Sequence, residues 1–282
     1  MPSVLITGTS SGFGLHTAIE LARRGWRVFA TMRNLDKRTP LDEAAAEAGV
    51  AQRLELMRLD VTDAASIEEA VRDVLQRSGG RLDAVVHNAG VAVGAAFEDV
   101  PDVEARRVME TNFWGVLAVT RALLPAFRAQ RSGRILIVSS NSAYAGEPAN
   151  AIYVASKWAI EGWAESLAYE VSPFGIDVVL VEPGSYKTEI WGSSPRILPE
   201  SSPYRALMQH LEKVIDEKVL ANARDPREVA QVIARALGAR HPRFRYPVGP
   251  DAWIGHVLRG KLPSRVQRFA ITRLLGLHRV RP

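Results

Sequence analysis

Tyr153 and Lys157 stand four residues apart in AIYVASKWAIEGW, and Ser140 precedes the tyrosine by thirteen positions. In a helix that spacing places phenol and ammonium on one face, where the cation can lower the phenol's pKa and let it pass protons near neutral pH. Ordinary solvated pairs on helix surfaces share the same spacing, so the pair takes its meaning from what surrounds it.

A second group of residues could hold a phosphate. VLIT (4 to 7) runs into TGTSSGFG, which sets Gly8, Gly12 and Gly14 between a strand and a helix. Positions without a β-carbon let the backbone turn sharply and approach a pyrophosphate at the positive end of the helix. A glycine-rich turn without ligand would look alike in composition, but the strand-turn-helix context in the first βαβ unit favours dinucleotide binding. The second strand ends in Thr31, Met32, Arg33 and Asn34, with no acid before Asp36. A carboxylate there would accept from the free 2′-hydroxyl of NAD, whereas an arginine pairs with the 2′-phosphate of NADP. Arg33 therefore points to NADP(H), against the alternative of one more surface arginine.

The elements that must position these groups follow from apolar runs. Strands are predicted at 4 to 7, 27 to 32, 54 to 60, 82 to 87, 134 to 139, 176 to 182 and 244 to 248. Helices are predicted near 13 to 24, 63 to 77, 102 to 130, 151 to 171 and 226 to 238. This alternation implies right-handed crossovers and an α/β, doubly wound (Rossmann) parallel sheet of about seven strands covered on both faces. Gly25 marks the end of the first helix, and Asp225, Pro226 and Glu228 supply an N-cap, a first-turn proline and a capping-box acid. Residues 185 to 225 are too long for a sheet connection and lie where such folds place substrate, so they are predicted to form a lid with a helical segment near 204 to 220.

With 282 residues, 47% of them hydrophobic, the chain can bury a substantial core, and neither a linker nor an internal repeat divides it. The expectation is one catalytic domain over 1 to 250 with an extension over 251 to 282. Cysteine is absent and the six histidines are scattered, so a disulfide framework is excluded and no metal site is expected. The first strand starts almost at once, leaving no room for a signal sequence, and a reducing cytoplasm is the expected location. The net charge of +5 is local: residues 251 to 282 carry +6 and the remainder −1. No basic docking face or nucleic-acid motif accompanies that charge, so nucleic acid is not an expected partner.

Taken together, TGTSSGFG, the HNAG at 87 to 90, Asn112, Ser140, Tyr153 with Lys157, and Pro183-Gly184 resemble the short-chain dehydrogenase/reductase family in its order and approximate spacing over residues 4 to 188. The gap between Gly8 and Gly12 resembles the family's compact single-domain branch. The resemblance implies that Tyr153 is the acid/base of an alcohol/ketone oxidoreduction, that Lys157 lowers its pKa and binds the nicotinamide ribose, and that Ser140, rather than Ser139, hydrogen-bonds the substrate oxygen. It gives Asn112 a water that relays protons from Lys157; the other reading is a helix-interior amide bonded to backbone. It further implies cofactor contacts at Gly8, Ser10, Ser11, Gly12, Phe13, Gly14, Asp60, Val61, Asn88, Ala89, Gly90, Pro183, Gly184 and Thr188, besides Arg33, Tyr153 and Lys157. His87 departs from the usual asparagine and is read as structural, and Phe13 replaces a common aliphatic residue.

EPGSYKT and ATMRN are similar to stretches of hydroxysteroid and retinol dehydrogenases, which suggests a bulky apolar alcohol or ketone. Tyr144, Tyr186 and Trp191, in loops expected near the nicotinamide, are candidate substrate contacts, or else they pack the lid onto the body. Val266, Phe269, Ala270, Leu274 and Leu277 follow helical spacing among basic residues, and the expectation is that this amphipathic helix packs on the body, covering the substrate pocket, or packs on a second subunit; contact with an anionic membrane is the less favoured alternative. Family members commonly pair through the helices at 102 to 130 and 151 to 171, so a homodimer or homotetramer is expected, with Trp158 and Trp163 as candidate interface core. The competing functions are a catalytically silent NADP-binding regulatory protein and a membrane-associated scaffold. Retention of Ser140, Tyr153 and Lys157 argues against the first.

Overall fold

Apolar runs of four to eight residues bounded by turns become strands because both of their faces can be covered. In the computed structural model, which describes residues 1–280 except the side chains of Trp191 and residues 218 to 220, the strands are β1 (Ser3–Thr7), β2 (Arg27–Met32), β3 (Leu54–Arg58), β4 (Ala84–His87), β5 (Gly133–Val138), β6 (Ile176–Pro183) and β7 (Arg245–Val248). They form one parallel sheet in the order β3-β2-β1-β4-β5-β6-β7. The order reverses between β1 and β4, where Ile6 is in register with Val86. A crevice opens at such a switch point, at the carboxyl ends of the strands.

The helices are α1 (Gly12–Arg23), α2 (Thr39–Glu47), α3 (Ala64–Arg77), α4 (Asp102–Met109), α5 (Gly115–Gln130), α6 (Ala151–Val171), α7 (Ile190–Ser193), α8 (Arg205–Val214), α9 (Arg227–Gly238), α10 (Pro250–Leu258) and α11 (Ser264–Leu274). Alternation along the strands divides the core in two. Val4, Ile6, Val28, Ala30 and Val179 pack with α1, α2 and α9. Leu5, Phe29, Val85, Ile135 and Val178 pack with α3, α5 and α6. Among the described residues no helix is long and apolar enough to cross a membrane.

The structure departs from the sequence expectations in two places. The helix predicted over 102 to 130 is interrupted by a π turn at Glu110–Trp114. Asp225 does accept from Arg227 N at 2.9 Å at the start of α9, but Glu228 closes no capping box, because its carboxylate binds Arg224 and the hydroxyl of Tyr186. Past residue 250, Ala252 of α10 is fully buried, and Asp251 Oδ2 accepts from Ser185 N at 2.8 Å. In α11 the apolar stripe points away from the body of this chain. Val266, Phe269 and Leu274 are exposed, and the helix is held instead by Gln267 Nε2 donating to the Tyr144 carbonyl and by His210 Nε2 donating to that of Leu275.

A buried ionic cluster joins the last strand to the helix that carries the tyrosine and lysine. Arg245 of β7 binds Glu161 and Glu165 of α6 and Glu182 of β6, and Arg259, just after α10, reaches Glu161 at 3.2 Å. Glu161 and Glu182 are essentially inaccessible to solvent. Removing one partner of such a cluster leaves buried charge uncompensated. Arg245→Met is expected to lower stability by about 3–5 kcal/mol, read from the urea midpoint at neutral pH; a loss below about 1 kcal/mol would mean that the cluster is solvated.

Candidate active site

Tyr153 and Lys157 lie in the first two turns of α6, at the carboxyl edge of the sheet. Lys157 Nζ donates to the carbonyl of Val138, the last residue of β5, at 2.9 Å and sits 5.5 Å from the centre of the Tyr153 ring. Ser140 continues from β5 and lies near enough to the phenol to oppose the rise of its pKa. Ser139 is turned into the core, with its backbone N–H donating to Val181. The thirteen-residue spacing thus selects the serine that the fold brings to the tyrosine. Ser140 Oγ also accepts from Ser142 N at 3.1 Å and bonds Ser142 Oγ at 3.2 Å, which fixes its direction.

Burial pushes Tyr153 up to about 12, with Ser140 opposing and the Glu147 carboxylate adding to the rise. The Lys157 ammonium is bound to the Val138 carbonyl and lies over the ring. Burial also pulls Lys157 down to about 8, against the carboxylate of Glu161 one turn further along. His87, buried and bonded at 2.9 Å to Thr120 Oγ1, is held by burial at about 3 and is therefore neutral, as a structural histidine should be.

Asn112 falls in the π turn. Its carboxamide accepts from Val91 N at 2.8 Å and donates to the Val91 carbonyl and to Ser156 Oγ. The side chain is thus the helix-interior amide of the alternative reading, and no donor is left on it for a relay water. What the π turn adds is a local break in the helical hydrogen-bond ladder.

The fit to a dinucleotide can be tested on the glycine turn. Gly8 and Gly12 hold φ of +73° and +53°, which side chains disfavour, and a β-carbon on Gly14 would collide with the Gly8 carbonyl oxygen. Ser11 is the N-cap of α1 without a side-chain cap bond, so the first-turn N–H groups remain open beside Ser10, as a diphosphate requires. Asn88 positions this turn rather than facing outward: its Nδ2 donates to the carbonyls of Thr7 and Gly8 at 3.0 and 2.8 Å. Ala89 N donates to Thr7 Oγ1, and Gly90 lies against Asn112. Phe13 packs edge-to-face on Tyr186 at 5.7 Å.

Arg33 is exposed at the end of β2. Asp60 Oδ1 accepts from the N–H and hydroxyl of Thr62, while the Val61 side chain packs on Gly115. Pro183 ends β6, and a β-carbon on Gly184 would strike Asp251. Thr188 lies against Gly12, so the start of the 185 to 225 segment adjoins the glycine turn. Further on, that segment is tied by backbone bonds from Gly94 N to Pro195 O and from Ile197 N to Gly94 O, both 2.9 Å. A nicotinamide dinucleotide fits this set.

Two of the three candidate substrate aromatics are buried in the body. Tyr144 is buried with its hydroxyl 3.5 Å from His256 Nδ1, and Tyr186 is buried with its hydroxyl on Glu228. A buried phenol needs a hydrogen-bond partner, and these two find theirs on other elements of the body. Trp191 has its side chain outside the described residues. Trp158, half exposed, donates from Nε1 to the Ser142 carbonyl at 3.0 Å, and Trp163 packs partly into the core. Sequence reasoning missed Glu147, Glu161, Glu182 and Asp251. Only Glu161 carried a signal, one turn beyond Lys157 on the same face.

Comparison with known proteins agrees with this geometry. A model of the short chain dehydrogenase family matches residues 2–196. A 3-ketodihydrosphingosine reductase of Bacteroides thetaiotaomicron is 34% identical over 274 residues, 95% of this chain and 96% of that protein. Bovine retinol dehydrogenase 8 and human 17-beta-hydroxysteroid dehydrogenase type 1 are each 36% identical over 256 residues, 86% of this chain and 80% and 76% of those proteins. Among solved structures, a short-chain dehydrogenase from Streptomyces avermitilis superposes with TM-score 0.80 at 32% identity, covering 99% of this chain and 98% of its own. An alcohol dehydrogenase of Thermococcus sibiricus complexed with 5-hydroxy-NADP gives 0.70 at 27%, covering 87% and 94%. A 3-ketoacyl-(acyl-carrier-protein) reductase of Brucella melitensis complexed with NADH gives 0.73 at 25%, covering 87% and 95%. With a glycine cradle at the switch point, a serine, tyrosine and lysine gathered at the end of β5, and this set of relatives, the chain belongs to the short-chain dehydrogenase family of oxidoreductases.

Proposed function

We propose that this oxidoreductase uses NADP(H) and acts on the carbonyl or secondary alcohol of a bulky, apolar substrate, with Tyr153 as acid/base. The observation that carries the proposal is the convergence of Ser140, the Tyr153 hydroxyl and the Lys157 ammonium at the end of β5, on the same edge of the sheet as the glycine turn. The bound dinucleotide supplies or accepts the hydride. In reduction the carbonyl carbon gains that hydride, its π pair moves to oxygen, and the oxygen takes the phenolic proton of Tyr153. Ser140 hydrogen-bonds the same oxygen and stabilises the charge that grows there. Lys157, charged below about pH 8, favours the phenolate that is left behind. Asn112 acts by holding the 91 segment to α6 through Val91 and Ser156.

Arg33 supports NADP(H), since its exposed guanidinium has no carboxylate paired with it among the described residues. Relatives named for a ketosphingoid base, retinol and a hydroxysteroid support a large apolar substrate. The helices α5 and α6 remain the proposed pairing surface of a homodimer or homotetramer.

Three measurements test these assignments. In an NADPH-oxidation assay over a carbonyl panel, Tyr153→Phe should lose about 10²–10⁴-fold in kcat; turnover equal to the parent enzyme's would remove Tyr153 from the chemistry. Arg33→Ala should lower kcat/KM for NADPH by about tenfold or more while leaving that for NADH within about twofold, and a parent enzyme that prefers NADH would overturn the assignment. The third concerns pH. Because the Lys157 value is depressed from that of a free lysine, its charge is present below about 8 and lost above. Reduction should therefore decline as pH rises through that value, and a profile flat through that region would contradict the role given to the ammonium.

A further inference from the structure

A groove of about 590 Å³ is lined by Gly146, Pro148, Ala151, Val154, Ala155 and Trp158, with Glu147 as its charged group. Such a volume suits a small organic ligand, and a carboxylate in an otherwise apolar wall is costly unless something neutralises it. Glu147 accepts from Ser142 Oγ at 3.1 and 3.2 Å and from Asn150 Nδ2 at 3.2 Å. Among the described residues no basic side chain pairs with it. These bonds leave lone pairs free on both oxygens.

The carboxylate is linked to the reacting end of the site. Ser142 Oγ bonds Ser140 Oγ at 3.2 Å and Glu147 Oε1 at 3.1 Å, so Glu147 lies within about 6 Å of Ser140, the residue placed on the substrate oxygen. That span accommodates a carbonyl oxygen on Ser140 and, one or two carbons along the substrate, a nitrogen on the carboxylate. We infer that Glu147 receives a protonated amine adjacent to the reacting carbon, so that the substrates are amino ketones and the corresponding amino alcohols, with their apolar part along the groove. This rests on the proposed roles of Ser140 and Tyr153 and gives their substrate a chemical class.

The field at the site agrees in sign. Burial raises Glu147, and the nearby carboxylate of Asp251 raises it further. The Glu147 charge in turn raises Tyr153, away from the neutral range. An ammonium on Glu147 would cancel that contribution, so binding the cation would bring the phenol's proton within easier reach. The competing role for Glu147 is a strut that holds residues 142 to 150 through Ser142 and Asn150. A strut would serve every substrate alike.

The test uses the intact enzyme and three long-chain ketones matched in length: one with a free amine on the carbon next to the carbonyl, the same compound N-acetylated, and one without nitrogen. For the parent enzyme kcat/KM should favour the free amine over the acetylated ketone by about ten- to hundredfold, the range of a charge-assisted hydrogen bond. In Glu147→Gln, which keeps the size and an acceptor for Ser142, that ratio should fall at least tenfold, and Glu147→Asp should recover part of it. A parent enzyme indifferent to the amine, or a glutamine variant that changes all three ketones by the same factor, overturns the inference. If no ketone is turned over above the Tyr153→Phe background, the failure belongs to the assignment of the reaction centre and not to Glu147.

Discussion

Burying Tyr153 and Lys157 on one helix face is the constraint around which the site is arranged. An ammonium taken out of water must find fixed dipoles or a counter-charge, since its Born cost is far larger than the stability of the whole domain. Here the Val138 carbonyl and, one turn along, Glu161 serve that purpose. Glu161 is itself buried and is balanced by Arg245 of the last strand and Arg259 after α10. Placing the reacting pair therefore commits α6, β6, β7 and α10 to one electrostatic unit. Glu182 belongs to it through Arg245, and burial followed by the neighbouring Glu161 pushes its carboxyl up.

The doubly wound parallel sheet and the site's serine, tyrosine and lysine were legible in sequence because they depend on local periodicity and fixed spacing. The strand order was not: Thr7 and Asn88 end up side by side because β1 and β4 pair in register. The misread residues depend on partners far along the chain. Tyr144 and Tyr186 look like pocket aromatics until His256 and Glu228 appear beside their hydroxyls, across 112 and 42 residues of chain. Spacing cannot display such pairings. Glu228 was misassigned for the complementary reason: it sits at a capping-box position, but a phenol and Arg224 compete for its carboxylate.

Charge counting misled in a similar way. Residues 251 to 282 carry +6 against −1 for the rest of the chain and so look like an appendage. Yet Asp251 bonds Ser185 N, Arg259 bonds Glu161, and Gly255 lies against the Tyr144 ring. Composition reports what a segment carries and not where its charges point. Arg259, just after α10, points inward to Glu161, whereas in α11 the basic residues and the apolar stripe both remain outside.

Gly184 shows how these levels meet. It follows the last residue of β6, and its N–H donates to the Val248 carbonyl, so its place is set by the sheet. Asp251 then occupies the space a side chain there would need, and its second oxygen fixes Ser185 at the start of the 185 to 225 segment. A glycine that a motif assigns to the cofactor is thus also required by an aspartate 67 residues later. The same aspartate adds to the negative field at Glu147. One short segment at the start of α10 therefore sets the backbone at Ser185 and contributes to the charge at the groove.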